Sequence, residues 1–121
     1  MSVTQTAKYK MQIIDELNEM KVRPNLLGYD YLAEAVLMIL KNPEYKHNLI
    51  KNVYFEIAKK FNVSIFKIDR NIRTIVDEYS KKNNIGEKIT NSYFICKIAK
   101  NIEYKNLAKG DCNEENNEND R

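Results

Sequence analysis

Residues 54–79, YFEIAKKFNVSIFKIDRNIRTIVDEY, contain the pattern on which the rest of the chain is organised. In the second half of this stretch, apolar residues recur every three or four positions, which predicts an amphipathic helix over about residues 65–80. The apolar stripe consists of Ile65, Ile68, Ile72, Ile75, Val76 and Tyr79. At about 100° per residue, Lys67, Arg70 and Thr74 lie opposite this stripe. The residues beside them are Phe66, Arg73 and Asp77.

The outer face of this predicted helix is basic. A helix that buries one face and presents arginine on the other suits the major groove of DNA, where Arg can make paired hydrogen bonds to guanine. The alternative, which this stretch alone leaves open, is an ordinary solvated helix with surface charges. The first interpretation predicts a DNA-reading role for residues 65–80.

A turn precedes this helix. Residues 51–61 have apolar side chains on one side, including Ile57, and predict a shorter helix. Asn62 follows, and Asn tolerates the left-handed conformation in which many helices end. Ser64 then occupies the N-cap position of the next helix. Two helices joined by a short turn, the second basic on its outer face, predict a helix-turn-helix.

The remainder of the chain predicts an all-α bundle of about five to six helices. Further helices are expected over residues 7–20, 28–41 and 91–105, with a short helical turn near residues 44–48. The second of these helices has a wide apolar face. The last has Thr90 at its N-cap position and a stripe of apolar residues consisting of Phe94, Ile95, Ile98, Ala99 and Ile102. Ile13, Ile14, Leu17, Met20 and Met11 are expected to form the buried stripe of the first. The predicted organisation is a flexible segment at 1–7, an effector domain at 8–108 and a disordered acidic tail at 109–121.

Charge and composition favour a protein that binds a polyanion over an enzyme. The net charge is +3, yet residues 111–121 contain five of the 17 acidic residues and a single Arg, so the body is more basic than the whole chain. A basic body suggests a polyanionic partner. The single His, the absence of a glycine-rich phosphate loop and the lack of metal-ligand spacing predict a protein that is not an enzyme and has no cofactor or metal. No signal sequence or membrane span is evident, so we expect a cytoplasmic protein with no membrane partner.

The sequence also resembles a known family. Residues 57–62, IAKKFN, with the following Arg70, Ile72 and Arg73, are similar to the C-terminal DNA-binding effector domains of the stage zero sporulation protein A family. Residues 28–35 and 90–94 fit the helices on either side, and the resemblance covers about residues 12–108. It implies an all-helical transcription regulator that binds double-stranded DNA as a tandem dimer and contacts RNA polymerase.

The resemblance also implies roles for individual residues. Lys67, Asp69 and Arg70 match base-reading positions of the recognition helix. Arg73 and Thr74 match positions close to bases or phosphates. The regulator hypothesis itself adds further residues that are expected at phosphates or beside the bases, namely Lys59, Lys60, Ser64 and Phe66. The residues matching the segment used for contacts between protomers are Phe94, Ile98 and Ile102.

Several features depart from the family pattern and predict a modified function. Lys67 replaces the usual Arg, Asp69 a longer Glu, and Thr74 the usual His, so we expect a different target sequence. The segment after the recognition helix is shorter than in the family, which favours repression over activation. The receiver domain is also missing, so we expect a free-standing effector domain without its phosphorylation switch.

Two alternatives accompany the regulator hypothesis. The chain could be an interaction module that pairs with a full-length sporulation regulator through its last helix and modulates it without strong DNA binding. The acidic tail could also cover the basic face and mimic DNA, although a solubilising role for such a tail is the simpler interpretation.

Overall fold

The computed structural model describes residues 3–110 and consists of helices and turns, with no strand in that range. The five α-helices are α1 (Val3–Glu19), α2 (Gly28–Lys41), α3 (Phe55–Phe61), α4 (Ile65–Lys82) and α5 (Asn91–Ala108). A 3₁₀ turn (Pro43–His47) and a π-helical turn (Ile50–Tyr54) precede α3. The predicted all-α fold is confirmed. The predicted acidic tail lies outside the described residues from Asp111 onward.

Helix α2 forms the centre of the bundle and packs against α1, α4 and α5. It is apolar on most of its surface, as the sequence predicts, and eight of its residues are buried. These are Gly28, Tyr31, Leu32, Ala35, Val36, Leu37, Ile39 and Leu40. A helix buried on so much of its surface is held by tertiary packing more than by its own propensity. No helix within residues 3–110 is long and apolar enough to cross a membrane.

Helix α1 differs from the prediction at its start and on its buried face. It begins at Val3, so part of the segment predicted to be flexible is helical. Once a helix has nucleated, each added residue costs little, and neither Gly nor Pro interrupts these first turns. Met11 and Ile14 are exposed, at 67% and 46%, because the core side of α1 follows the three- and four-residue spacing of Ile13, Glu16 and Leu17.

Glu16 is a buried carboxylate that the apolar pattern of α1 did not reveal. Only 5% of the residue is exposed. Its side chain accepts hydrogen bonds from Lys105 Nζ at 2.8 Å and Asn101 Nδ2 at 3.2 Å, both on α5. Hydrogen bonds to Glu16 and then Glu19 raise the pKa of the Lys105 ammonium. Because a buried charge needs a partner, this cluster holds α1 in one position against α5.

The turn between α3 and α4 has the predicted geometry. Asn62 is left-handed, with φ 57° and ψ 50°, and its N–H donates to the Ala58 carbonyl. The Val63 N–H donates to the same carbonyl at 3.0 Å. Ser64 Oγ accepts a hydrogen bond from the Lys67 N–H at 3.1 Å, which caps α4. Residues of the turn itself therefore make hydrogen bonds to free backbone groups at both helix ends, the C-terminus of α3 and the N-terminus of α4.

Gly28, the first residue of α2, lies directly against the backbone of α4. A Cβ atom at this position would lie 2.4 Å from the Asn71 carbonyl oxygen and 2.7 Å from its carbon. Both atoms belong to the backbone of α4, so they cannot rotate away as a flexible side chain would. A residue without a side chain is therefore required for α4 to pack at this depth.

We predict that Gly28→Ala destabilises the fold. The added methyl group collides with the α4 backbone, and overpacking of this kind costs about 1–3 kcal/mol. The measurement is the free energy of unfolding in urea, followed by far-ultraviolet circular dichroism. Gly86→Ala is the matched control, since nothing lies within 4 Å of a Cβ there and a change within about 0.5 kcal/mol is expected. Equal stability of the two variants would contradict the close approach.

Candidate nucleic-acid interface

The outer face of α4 carries a continuous row of exposed side chains. Phe66, Arg70, Arg73 and Asp77 follow one another at intervals of four, three and four residues, so they form one ridge along the helix. Lys67 and Thr74 lie on one flank and are also exposed. On the opposite side, the buried residues of α4 are Ile68, Ile72, Ile75 and Val76. The predicted division of this helix into a core face and a basic face is present in the structure.

Lys67 and Arg70 are the two cations of this face that have no partner among the described residues 3–110. Neither side chain forms a hydrogen bond or an ion pair within residues 3–110. Both residues are exposed, and neither has to be released from a carboxylate of residues 3–110 before it meets an anion. This arrangement suits the base-reading positions predicted for both residues.

Asp69, the third predicted base-reading residue, is held by the protein itself. Its Oδ2 accepts a hydrogen bond from Arg73 Nη2 at 2.6 Å. Its Oδ1 and its backbone carbonyl accept from Asn91 Nδ2, at 3.1 and 3.0 Å. The hydrogen bond to Asp69 also raises the pKa of the Arg73 guanidinium. With both carboxylate oxygens occupied, this arrangement favours a positioning role for Asp69 over the predicted contact with a base.

Asn91 connects α4 to α5 and was not identified from the sequence. It is the first residue of α5, follows the predicted N-cap Thr90, and is only 7% exposed. Its Oδ1 is buried without a hydrogen-bond partner in residues 3–110. Tyr54 lies in the same region, and burial raises the pKa of its phenol. Only the cap at Thr90 was visible in the sequence, because the Asp69 partner lies 22 residues away along the chain.

The residues predicted to lie near phosphates differ in how freely they can move. Lys60 Nζ donates to Glu34 Oε1 at 2.9 Å and lies 5.8 Å from the centre of the Phe61 ring. Lys59 is 66% exposed and only loosely paired with Glu56, at 3.8 Å. Of the two lysines, Lys59 is therefore the more available to a phosphate.

The two hydroxyl groups near the interface also make local bonds. Ser64 Oγ caps α4 by accepting the Lys67 N–H. Thr74 Oγ1 donates to the Arg70 carbonyl at 3.1 Å, one turn earlier in the same helix. Both residues remain exposed, so each hydroxyl can still make a further hydrogen bond at the surface.

The residues predicted to contact a neighbouring protomer are buried in the core of the protein. Phe94, Ile98 and Ile102 are 0%, 0% and 1% exposed, and Phe94 packs edge-on against Tyr79 with ring centres 5.1 Å apart. A side chain that fills the core of its own molecule cannot also contact a neighbouring one, so this prediction is wrong. The exposed large residues of the same helix are Tyr93, Tyr104 and Leu107.

We predict that Asp69→Ala lowers the free energy of unfolding by about 1–2 kcal/mol, because it removes charge-assisted hydrogen bonds to Arg73 and Asn91 on a half-exposed group. Urea unfolding measures this effect. Asp77→Ala is the control, since Asp77 is exposed on the same helix and makes no hydrogen bond within residues 3–110. If Asp69→Ala leaves stability unchanged but alters base preference at one position of a bound DNA site, Asp69 reads a base instead.

The comparison with protein families agrees with this geometry. Residues 13–101 match the family model described as sporulation initiation factor Spo0A C terminal. The match runs from the middle of α1 into α5 and includes the whole of α2, α3 and α4. The family consists of transcription-factor domains that bind DNA in general, and it is not a family of enzymes. The chain therefore belongs to the family of Spo0A C-terminal domains.

Proposed function

We propose that this protein is a sequence-specific transcription regulator that inserts α4 into the major groove of double-stranded DNA. The observation that carries the proposal is a pair of exposed cations, Lys67 and Arg70, on the outer face of a helix whose other face is buried. Neither cation has a partner in the part of the chain that the structure describes. Membership of a family of DNA-binding domains supports the same conclusion.

The interface residues have two roles in this proposal, reading of bases and contact with phosphates. Arg70 lies at the centre of the exposed face, and its guanidinium can bond simultaneously to O6 and N7 of a guanine. Lys67, in the first turn of α4, is a point charge that can reach a guanine acceptor but cannot reproduce the planar fork of Arg. Lys59, Arg73 and Thr74 contact phosphates, which fixes the register of the helix in the groove.

The proposal extends to adjacent copies of the protein on tandem sites. Tyr93, Tyr104 and Leu107 are 57%, 60% and 54% exposed and lie within about 60° of one another around α5. An exposed stripe of two aromatic residues and a leucine suits contact with a neighbouring protomer, since Tyr is enriched at protein interfaces. The same stripe supports a second candidate function, in which the chain pairs with a full-length regulator and modulates it.

Two experiments together distinguish these functions. Selection of bound sites from a random duplex library tests for a DNA motif and shows whether the motif is a tandem repeat. Size-exclusion chromatography with a full-length regulator of the family, beside the chain alone, tests for pairing. A selected motif supports the regulator, whereas pairing without any selected motif supports the interaction module.

We predict that Arg70→Ala costs about 1–3 kcal/mol in binding to the selected site and relaxes preference at one base position, because a bidentate contact is lost. Fluorescence anisotropy on the selected site and on random duplex measures the two affinities. The control is Lys10→Ala, which removes one positive charge from α1, a helix that packs against α2 and α5. An equal loss for Arg70→Ala on both duplexes would contradict base reading.

Lys59→Ala is predicted to weaken binding to all duplexes alike. Removing one phosphate contact reduces the slope of log K against log salt concentration by about one. Titrations at several salt concentrations give this slope. Lys60→Ala provides the comparison, since its ammonium is paired with Glu34 and a smaller change in slope is expected. An unchanged slope for Lys59→Ala would remove Lys59 from the phosphate contacts.

A further inference from the structure

Phe66 is an exposed aromatic residue at the start of the basic face. It is 79% exposed, more than any other large hydrophobic residue of residues 3–110. Phe66 does not belong to the hydrophobic core, nor is it one of the partly buried apolar residues that pack against the core. It also forms no aromatic ring pair in the described part of the chain. Its ring therefore has no function in the fold that the structure reveals.

The position of Phe66 connects it to the DNA-reading residues. It is the second residue of α4 and lies four residues before Arg70 on the ridge defined above. The first residues of a recognition helix are those that contact base edges. Phe66 therefore stands beside the predicted base-reading cations, where a side chain meets the floor of the groove.

The chemistry of the phenyl ring limits what it can recognise there. It has no donor or acceptor, so it cannot hold a phosphate or bond to a base edge. In the major groove, the C5-methyl group of thymine is the apolar feature of the base pairs, and Phe is one of the residues that contact it. Covering this methyl group removes apolar surface of both partners from water.

We propose that Phe66 is a specificity-determining residue that packs against the C5-methyl group of a thymine, close to the base that Arg70 reads. This inference rests on the proposed function and deepens it, because it assigns a base preference to a residue that carries no charge. It replaces the flanking role expected for Phe66 from the sequence with a direct contact to a base.

The test removes the methyl group from the DNA and the ring from the protein. Each thymine of the selected site is replaced in turn by deoxyuridine, which lacks only the C5-methyl group. Affinities are measured by fluorescence anisotropy for the unaltered protein, for Phe66→Ser and for Phe55→Ser. Phe55 is the matched control, as an exposed phenylalanine on α3 at 55%. Circular dichroism establishes that both variants are folded.

At one thymine, deoxyuridine is expected to weaken binding of the unaltered protein and of Phe55→Ser by about fourfold, the effect of one buried methyl group. Phe66→Ser is expected to bind the two duplexes equally, since double-mutant coupling disappears when one partner is already absent. Phe66→Ser is also expected to lose the preference for thymine at that position when sites are selected again.

Several outcomes overturn the inference while leaving the proposed function intact. They are a selected motif without any methyl-sensitive thymine, an equal deoxyuridine effect in the unaltered protein and in Phe66→Ser, and a uniform loss by Phe66→Ser on every duplex. Loss of protein self-association in Phe66→Ser with unchanged DNA affinities also overturns it and assigns Phe66 to a protein contact. If no motif is selected at all, the proposed function and the inference fail together.

Discussion

The close approach of α2 to α4 is the constraint on which the rest of the structure depends. The backbone of α4 at Asn71 comes so near to Gly28 that no side chain fits between them. The same contact seats Ile68 and Ile72 fully inside the core. Once this face of α4 is fixed, helical geometry directs Arg70 and its neighbours outward. The orientation of the basic face is therefore a consequence of packing on the other side of the helix.

Polar contacts supplement this apolar packing where α5 meets its neighbours. Asp69 joins α4 to the first residue of α5, and Glu16 joins α1 to the last turn of α5 through Lys105. Buried ion pairs add little net stability when compared with apolar packing. Breaking such a pair is nevertheless strongly destabilising, because it leaves a buried charge without a partner. These contacts consequently penalise other placements of α5. The ends of α5 are tied to different helices, and its exposed stripe is presented in one orientation.

The sequence predicted those features that depend on neighbours a few residues away. The left-handed Asn62 and the capping residues Ser64 and Thr90 were all predicted, because each bonds to a backbone group three or four positions away. The core face of α4 was predicted equally well. The three- and four-residue spacing of its apolar residues is enough to place Ile72 on the buried side and Arg70 on the exposed side. The burial of Phe94 was also predicted, but its assignment to a protomer contact was wrong, because one side chain cannot serve the core and a surface.

By itself, the sequence determined the helical class, the position of the turn and which side of α4 is basic, because local periodicity and capping chemistry carry that information. Tertiary structure alone decided that Gly28 must lack a side chain, that Glu16 is buried, and that Asp69 is held by Asn91. Each of these depends on a residue more than 20 positions away, and no local pattern shows which distant group will arrive there. The same reason explains why Lys60 is paired whereas Lys67 and Arg70 have no partner within residues 3–110. Glu34 meets Lys60 only after α2 and α3 have packed together.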